Sequence, residues 1–193
     1  MSWMMLSDIE IAHMESAIRE MDAGSDRSAA LVAAAFVEQN LEIALRCRLK
    51  RDDAINKEMF RVSGPLGTFS GKIHMGFMIG LYEKAAWSEL DLIRKIRNEF
   101  AHKLECVDFA SSDRVTSWAN LLSLADIINI SISSDGTMVT ISQASPPQGA
   151  NRWLLTPIKN PTPRQRYTRA CELFIVSLSL APHFDHPNYS AMF

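Results

Sequence analysis

The sequence predicts a mainly α-helical fold: a helical bundle with a small β-hairpin inserted before the last helix, in a single domain over residues 1–193. Apolar residues recur at three- and four-residue spacing through most of the chain, which is the period of an amphipathic helix. Strict alternation of apolar and polar residues occurs in one region only, between about 127 and 158. Hydrophobic residues make up 47% of the chain and charged residues 22%, as in proteins with a packed core.

The N-terminal region predicts two helices. Ser7 begins a capping box, apolar residues follow at helical spacing, and Gly24 ends this first helix. Ser25 or Asp26 caps a second helix that continues to about Leu49. This second helix is apolar nearly all round, so we expect it to lie at the centre of the bundle.

The middle of the chain predicts three more helices. The segment 63–67 contains two glycines and a proline, which break a helix, and Thr68 or Ser70 can cap the helix that follows. Strong helical periodicity then predicts one helix over 88–103 and another over 113–126.

The alternating region predicts a β-hairpin, an appendage over about 127–158. A two-residue turn at Asp135-Gly136 would place Ile132 opposite Val139 and Ile130 opposite Ile141. Apolar residues would then face each other across both pairs. Because an isolated hairpin is marginally stable in water, the apolar residues within 153–158 are expected to add a third strand or a packing cover.

The last helix is predicted to begin near Pro161 and Pro163 and to end at Pro182. Five residues share the face that we expect to pack on the core, at helical spacing. They are Tyr167, Ala170, Cys171, Phe174 and Leu178.

Charge and cysteine content bound the functional class. The formal net charge of -2 gives no support for a surface that binds duplex DNA. Cys47, Cys106 and Cys171 are odd in number and form no CxxC pair, which argues against disulfides or a zinc site and fits a reducing cytosol. No uninterrupted apolar run is long enough to span a membrane, and the N-terminus does not resemble a signal peptide. We therefore expect a cytoplasmic protein without metal or cofactor.

Three segments, 26–35, 64–70 and 90–102, resemble the mannitol operon repressor family in sequence and order. The resemblance covers roughly the first two-thirds of the chain, and the hairpin region departs from it. It implies a helical regulator without a recognisable DNA-binding motif. We accordingly expect a homodimer that controls transcription through a protein partner, with weak, salt-sensitive DNA binding at most.

The segment 90–102 also resembles the HEPN superfamily, whose ribonucleases carry an arginine, a polar neighbour and a histidine five residues after the arginine. Here these positions are Arg97, Asn98 and His102. The resemblance implies an alternative function, a toxin-like, metal-independent ribonuclease acting on RNA. His102 would serve as general base, Arg97 would stabilise the transition state, and Asn98 would orient the phosphate or the imidazole.

A structural interpretation of the same residues is the one that we favour. On a straight helix Arg97 falls within the apolar arc, whereas Asn98 and His102 lie on the opposite side. A buried guanidinium needs a partner, and Glu38 lies in the middle of the apolar face of the second helix, so we predict a Glu38–Arg97 ion pair. A third interpretation is a scaffold that docks through the edge of the hairpin.

Overall fold

The computed structural model describes residues 16, 18–19, 21, 24–50, 52–103, 107–132, 139–142, 152–155 and 158–183. The described part is mainly helical, and residues 16, 18–19 and 21 belong to the predicted first helix. A 3-10 turn, Ala181–His183, lies at the C-terminal end of the described part. Its seven complete α-helices are α1 (Asp26–Arg48), α2 (Asp53–Phe60), α3 (Phe69–Met78), α4 (Lys84–His102), α5 (Asp113–Asn120), α6 (Leu124–Ile127) and α7 (Pro163–Ser179).

Helix α1 lies at the centre of the fold, in contact with α3, α4 and α7. Ser25 is its N-cap, and the Ser25 side chain accepts a hydrogen bond from the amide of Ser28. Ala29, Ala30 and Ala33 are fully buried, and such small residues let neighbouring helices approach closely. The Tyr167 hydroxyl on α7 donates to the Ala30 carbonyl at 2.8 Å, which joins the two helices inside the core.

The connection between α3 and α4 is fixed by one buried tyrosine. The Thr68 side chain caps α3 by accepting from the amide of Gly71. Beyond the helix, the Tyr82 hydroxyl donates to the carbonyl of Ile73 at 2.7 Å. A Cβ atom at Gly76 would lie 2.5 Å from that hydroxyl, so this close approach requires glycine.

The prediction of a single helix over 113–126 is wrong, because the chain forms two helices there, α5 and α6. A carboxylate from α4 stabilises the break. Glu89 Oε1 accepts from the amides of Ser123 at 2.7 Å and Leu124 at 2.8 Å, which satisfies donors at the start of α6.

Three short strands precede α7, with the antiparallel order β2-β1-β3. Ile130 pairs with Ile141, and Ile132 pairs with Val139. The Asp135-Gly136 turn lies outside the described residues, so the hairpin turn stays a prediction. The strands are β1 (Asn129–Ile132), β2 (Val139–Ser142) and β3 (Arg152–Leu155).

Helix α7 begins with a capping box formed by Thr162 and Gln165, with Pro163 in its first turn. The helix ends at Ser179, before Pro182. The predicted core-facing stripe is confirmed, since all of its residues are 0% exposed. They are Tyr167, Ala170, Cys171, Phe174 and Leu178.

Candidate functional site

Arg97 is half-buried on α4 and reaches sideways along its own helix. Its Nη1 atom donates to Asn98 Oδ1 at 3.0 Å. The positive charge of the guanidinium also acts on the Tyr167 phenol of α7. Burial raises the pKa of the Tyr167 phenol well above its ordinary value, and the Arg97 charge opposes this shift. The structure therefore brings Arg97 and Asn98 together beside the core.

The predicted Glu38–Arg97 ion pair is wrong in its partner. Glu38 Oε1 accepts a hydrogen bond from Lys72 Nζ on α3 at 2.9 Å. The cause is the packing of α3 against α1, which brings a lysine to the acid that the sequence predicts to pair with Arg97. Arg97 instead donates a hydrogen bond to the Asn98 side chain.

Lys72 is the centre of an ionic network that sequence analysis missed. Its side chain is 7% exposed, and its ammonium lies 2.9 Å from both Glu38 and Glu42. Glu42 Oε1 also accepts from Arg46 Nε at 3.0 Å and Nη2 at 2.8 Å. The Arg46 guanidinium stacks over the Phe60 ring, 4.0 Å from its centroid.

The pKa shifts in this network follow from its ion pairs. Burial alone would lower the pKa of Lys72, but the bonds to Glu42 and Glu38 outweigh it and raise that pKa. Burial alone would raise the pKa of Glu42, and the bonds to Lys72 and Arg46 lower it instead. Each group is thus held in its charged form.

An open pocket of about 410 Å³ lies over this network, between α1 and α3. Four charged side chains line it, two acids and two bases, and they neutralise one another. The pocket therefore carries no net charge that would attract an ionic ligand. Its lining residues are Ala35, Glu38, Gln39, Glu42, Ile43, Arg46 and Lys72.

The solvent side of α4 carries a second set of ion pairs. Asp91 lies 2.6 Å from Arg94 and 2.9 Å from Lys95. The Asp91 side chain is 17% exposed, whereas that of Lys95 is 43% exposed. Burial tends to raise the pKa of Asp91, but the bonds to Lys95 and Arg94 lower it overall.

The C-terminal end of α4 repeats this arrangement. Glu99 lies 2.6 Å from Lys103 and 3.5 Å from Arg114 of α5. The bond from Lys103 is the largest effect on the pKa of Glu99 and lowers it. We call these two sets together the α4 outer face: Asp91, Arg94, Lys95, Glu99, Lys103 and Arg114.

His102 is exposed and is the last residue of α4, one turn beyond Asn98. Among the described residues no hydrogen bond connects His102 to Arg97 or Asn98. The structure therefore assembles two of the three residues of the predicted constellation and places the third nearby on the surface. Among those same residues, no group of three His, Cys, Asp or Glu side chains could hold a metal ion.

Glu89 is a buried carboxyl group on the other side of α4, 4% exposed. Burial raises its pKa, the bonds to Ser123 and Leu124 oppose this, and Asp126 adds to the rise. Its Oε2 atom has no hydrogen-bond partner in the described part of the chain. Since Oε1 caps α6, we assign Glu89 to the architecture of the fold.

Comparison with known proteins gives one clear similarity. No protein-family model and no curated protein sequence matches the chain. The fold is similar to that in the X-ray structure of the MtlR-HPr complex from Escherichia coli, with a TM-score of 0.59 and 16% sequence identity. The similarity covers 88% of this chain and 99% of that chain. The chain therefore has an MtlR-like fold.

Proposed function

We propose that this protein is a cytoplasmic regulator that controls transcription by binding a partner protein, as a homodimer, and not by reading DNA bases itself. The observation that carries the proposal is the extent of the fold similarity. It spans 99% of a chain whose structure was determined in complex with HPr. A protein related to HPr is accordingly the first partner to test.

The α4 outer face is the surface that we assign to this partner. Its carboxylates lie beneath its cations: the Glu99 side chain is 11% exposed, whereas Lys103 is 48% and Arg114 is 63% exposed. A partner approaching from solvent meets positive charge first. Such a face favours a partner with an acidic surface, because complementary charge steers the encounter.

Calorimetric titration of the HPr protein from the same organism into this protein tests the proposal. We expect binding by the natural protein and about tenfold weaker binding by the double variant Arg94→Glu/Lys95→Glu. The matched control is Lys57→Glu, which reverses an exposed charge on α2 and should bind as the natural protein does. Equal binding by all three proteins would exclude the α4 outer face as the contact surface.

DNA binding gives an independent test of the same proposal. We expect the isolated protein to bind DNA weakly, with no preference for sequence and with steep loss of affinity as salt rises. Fluorescence anisotropy with operator and scrambled duplexes measures this. Tight, sequence-selective binding by the protein alone would contradict regulation through a partner.

The alternative function is a metal-independent ribonuclease, and the bond from Arg97 to Asn98 favours it specifically. That bond turns the guanidinium toward the side of α4 that carries His102, one helical turn after Asn98. His102 would accept the proton of an RNA 2′-hydroxyl, whose oxygen attacks the adjacent phosphorus and expels the 5′-oxygen of the next nucleotide. Arg97 would stabilise the charge that develops on the phosphorus oxygens.

Incubation of the protein with RNA in EDTA separates the two functions. The ribonuclease predicts cleavage that is lost in His102→Ala and in Arg97→Ala but retained in Lys103→Ala, the matched control. Intact RNA with the natural protein would exclude the ribonuclease and leave the regulator. Cleavage that survives in His102→Ala would point to a contaminating nuclease.

A further inference from the structure

The exposed residues of α1 form a single row. All residues of this helix are described, and four of them are exposed, each four positions after the previous one. None of the four is charged. We call this row the α1 ridge: Ala35, Gln39, Ile43 and Cys47.

The rest of α1 explains why such a row is unexpected. By length and composition α1 is apolar enough to cross a membrane, yet only 44% of its most apolar 18-residue window is buried inside the protein. Ile43 is 42% exposed. A central core helix of this composition normally has most of its apolar surface covered. The α1 ridge is therefore an uncharged strip of this helix that a second helix can pack against.

The pocket beside the ridge has the shape that helix packing needs. Positions 35, 39 and 43 form one i+4 row, and positions 38, 42 and 46 form the next. The groove between these rows, of about 410 Å³, has Lys72 as part of its lining. When two helices pack through their i+4 rows, the ridge of one enters the groove of the other.

The charges that flank the ridge make it self-complementary. Glu38 lies toward the N-terminal end and Arg46 toward the C-terminal end, and their side chains are 21% and 40% exposed. Antiparallel packing of two α1 helices brings the Arg46 end of one copy beside the Glu38 end of the other. Parallel packing would place like charges together.

We propose that the α1 ridge is the dimer contact, with α1 of a second copy packed against it in antiparallel orientation. This inference rests on the homodimer of the proposed function and identifies the surface through which the two copies bind each other. A second copy fits better than an acidic partner, because the ridge itself is uncharged and the groups that flank it are an acid at one end and a base at the other. The positive α4 outer face then remains available to bind the acidic partner.

Disulfide trapping tests the orientation. The midpoint of the ridge is at residue 41, so residue 39 of one copy lies level with residue 43 of the other, whereas the two copies of residue 47 are offset by about 18 Å along the axis. An oxidised mixture of Gln39→Cys/Cys47→Ser with Ile43→Cys/Cys47→Ser should form a covalent dimer, whereas the natural protein should not form one through Cys47. Cys47→Ser alone controls for the remaining cysteines. A dimer that requires Cys47, or none in the mixture, would overturn the antiparallel contact.

Sedimentation equilibrium tests the surface itself. We expect Ile43→Asp to raise the dimer dissociation constant at least about tenfold, because a carboxylate would enter an apolar contact. The control is Ile55→Asp, since Ile55 is 61% exposed on α2, away from the ridge. Circular dichroism verifies that both variants fold.

Two outcomes separate this inference from the proposed function. Dimerisation by the natural protein that Ile43→Asp leaves unchanged would overturn the ridge but not the homodimer. A natural protein that stays monomeric at high micromolar concentration would overturn both. Titration of HPr into Ile43→Asp measures partner binding separately, and we expect it to be retained.

Discussion

The Lys72 network and the α4 outer face contain the same kinds of charge, layered in opposite order. Between α1 and α3 the cation lies beneath the acids, because the Lys72 side chain is 7% exposed and those of Glu38 and Glu42 are 21% and 28% exposed. On α4 the acid lies beneath the cations, with Glu99 at 11% exposure and Lys103 at 48%. Depth therefore distinguishes two regions of similar composition.

The difference in layering implies a difference in role. A buried ammonium that loses its carboxylates keeps its desolvation cost, so the Lys72 network fixes α3 against α1. Exposed cations contribute little to stability because water and salt screen them, but they remain available to another molecule. The comparison thus assigns architecture to one region and recognition to the other.

The largest expected effect is on the Lys72 network. Replacing Lys72 with methionine leaves Glu38 and Glu42 close together without their shared cation, and we expect the free energy of unfolding to fall by about 3 kcal/mol. Lys95→Met is the matched control on α4, with an expected loss of no more than about 0.5 kcal/mol. Urea denaturation measures both. Equal losses would remove the distinction between the two regions.

A smaller effect is expected at Glu89, a buried acid with no cation bonded to it in the described part of the chain. Its folded-state pKa is raised above the ordinary value, so it costs stability as pH rises through that pKa, and the cost is absent at lower pH. Glu89→Gln can keep the oxygen that caps α6. We expect it to stabilise the fold by about 1 kcal/mol near neutral pH.

The pH dependence provides the check on the Glu89 prediction. Denaturation at neutral pH and near the ordinary pKa of a glutamate should show the advantage of Glu89→Gln shrinking as pH falls. The Lys72 network should behave in the opposite way, because the lowered pKa of Glu42 stabilises the fold at neutral pH and this contribution is lost in acid. An advantage of Glu89→Gln that does not vary with pH would contradict the burial argument.

The smallest expected effect is on the α4 outer face. Lys103→Ala should change the free energy of unfolding by less than about 0.5 kcal/mol, since its partner Glu99 keeps Arg114. The association rate with HPr should nevertheless fall about two- to threefold, because charge at the rim of an interface acts on encounter. Stopped-flow fluorescence at low salt measures this rate. An unchanged rate would count against recognition by this face.

Local sequence signals predicted most of the helices well. Ser25 caps α1 as expected, and Thr68 caps α3. Helix α2 was not predicted, although the sequence contains its start signal: the Asp52 side chain accepts from the amide of Ile55 and begins that helix. Helix α4 begins at Lys84, one turn before the predicted start at residue 88. Its N-cap Glu83 makes no side-chain capping bond, so little marks that boundary in the sequence.

Tertiary contacts account for what the sequence could not predict. The break between α5 and α6 depends on Glu89, which lies more than thirty residues earlier in the chain. Glu38 was predicted to pair with Arg97, and helix periodicity could not show that Lys72 of α3 would be its partner instead. Spacing placed Arg97 in the apolar arc and could not show that its long side chain would reach Asn98. Residue types could therefore be predicted, whereas their partners required the packing of helices.

Hydrogen exchange of the protein with and without HPr tests the central distinction most directly. Amide protection reports local opening along the chain, so one experiment reads both regions. We predict that HPr slows exchange over residues 91–103 of α4 and leaves residues 69–78 of α3 unchanged. Slowed exchange confined to α3 and α1, or no change in either region, would contradict the assignment of recognition to the α4 outer face.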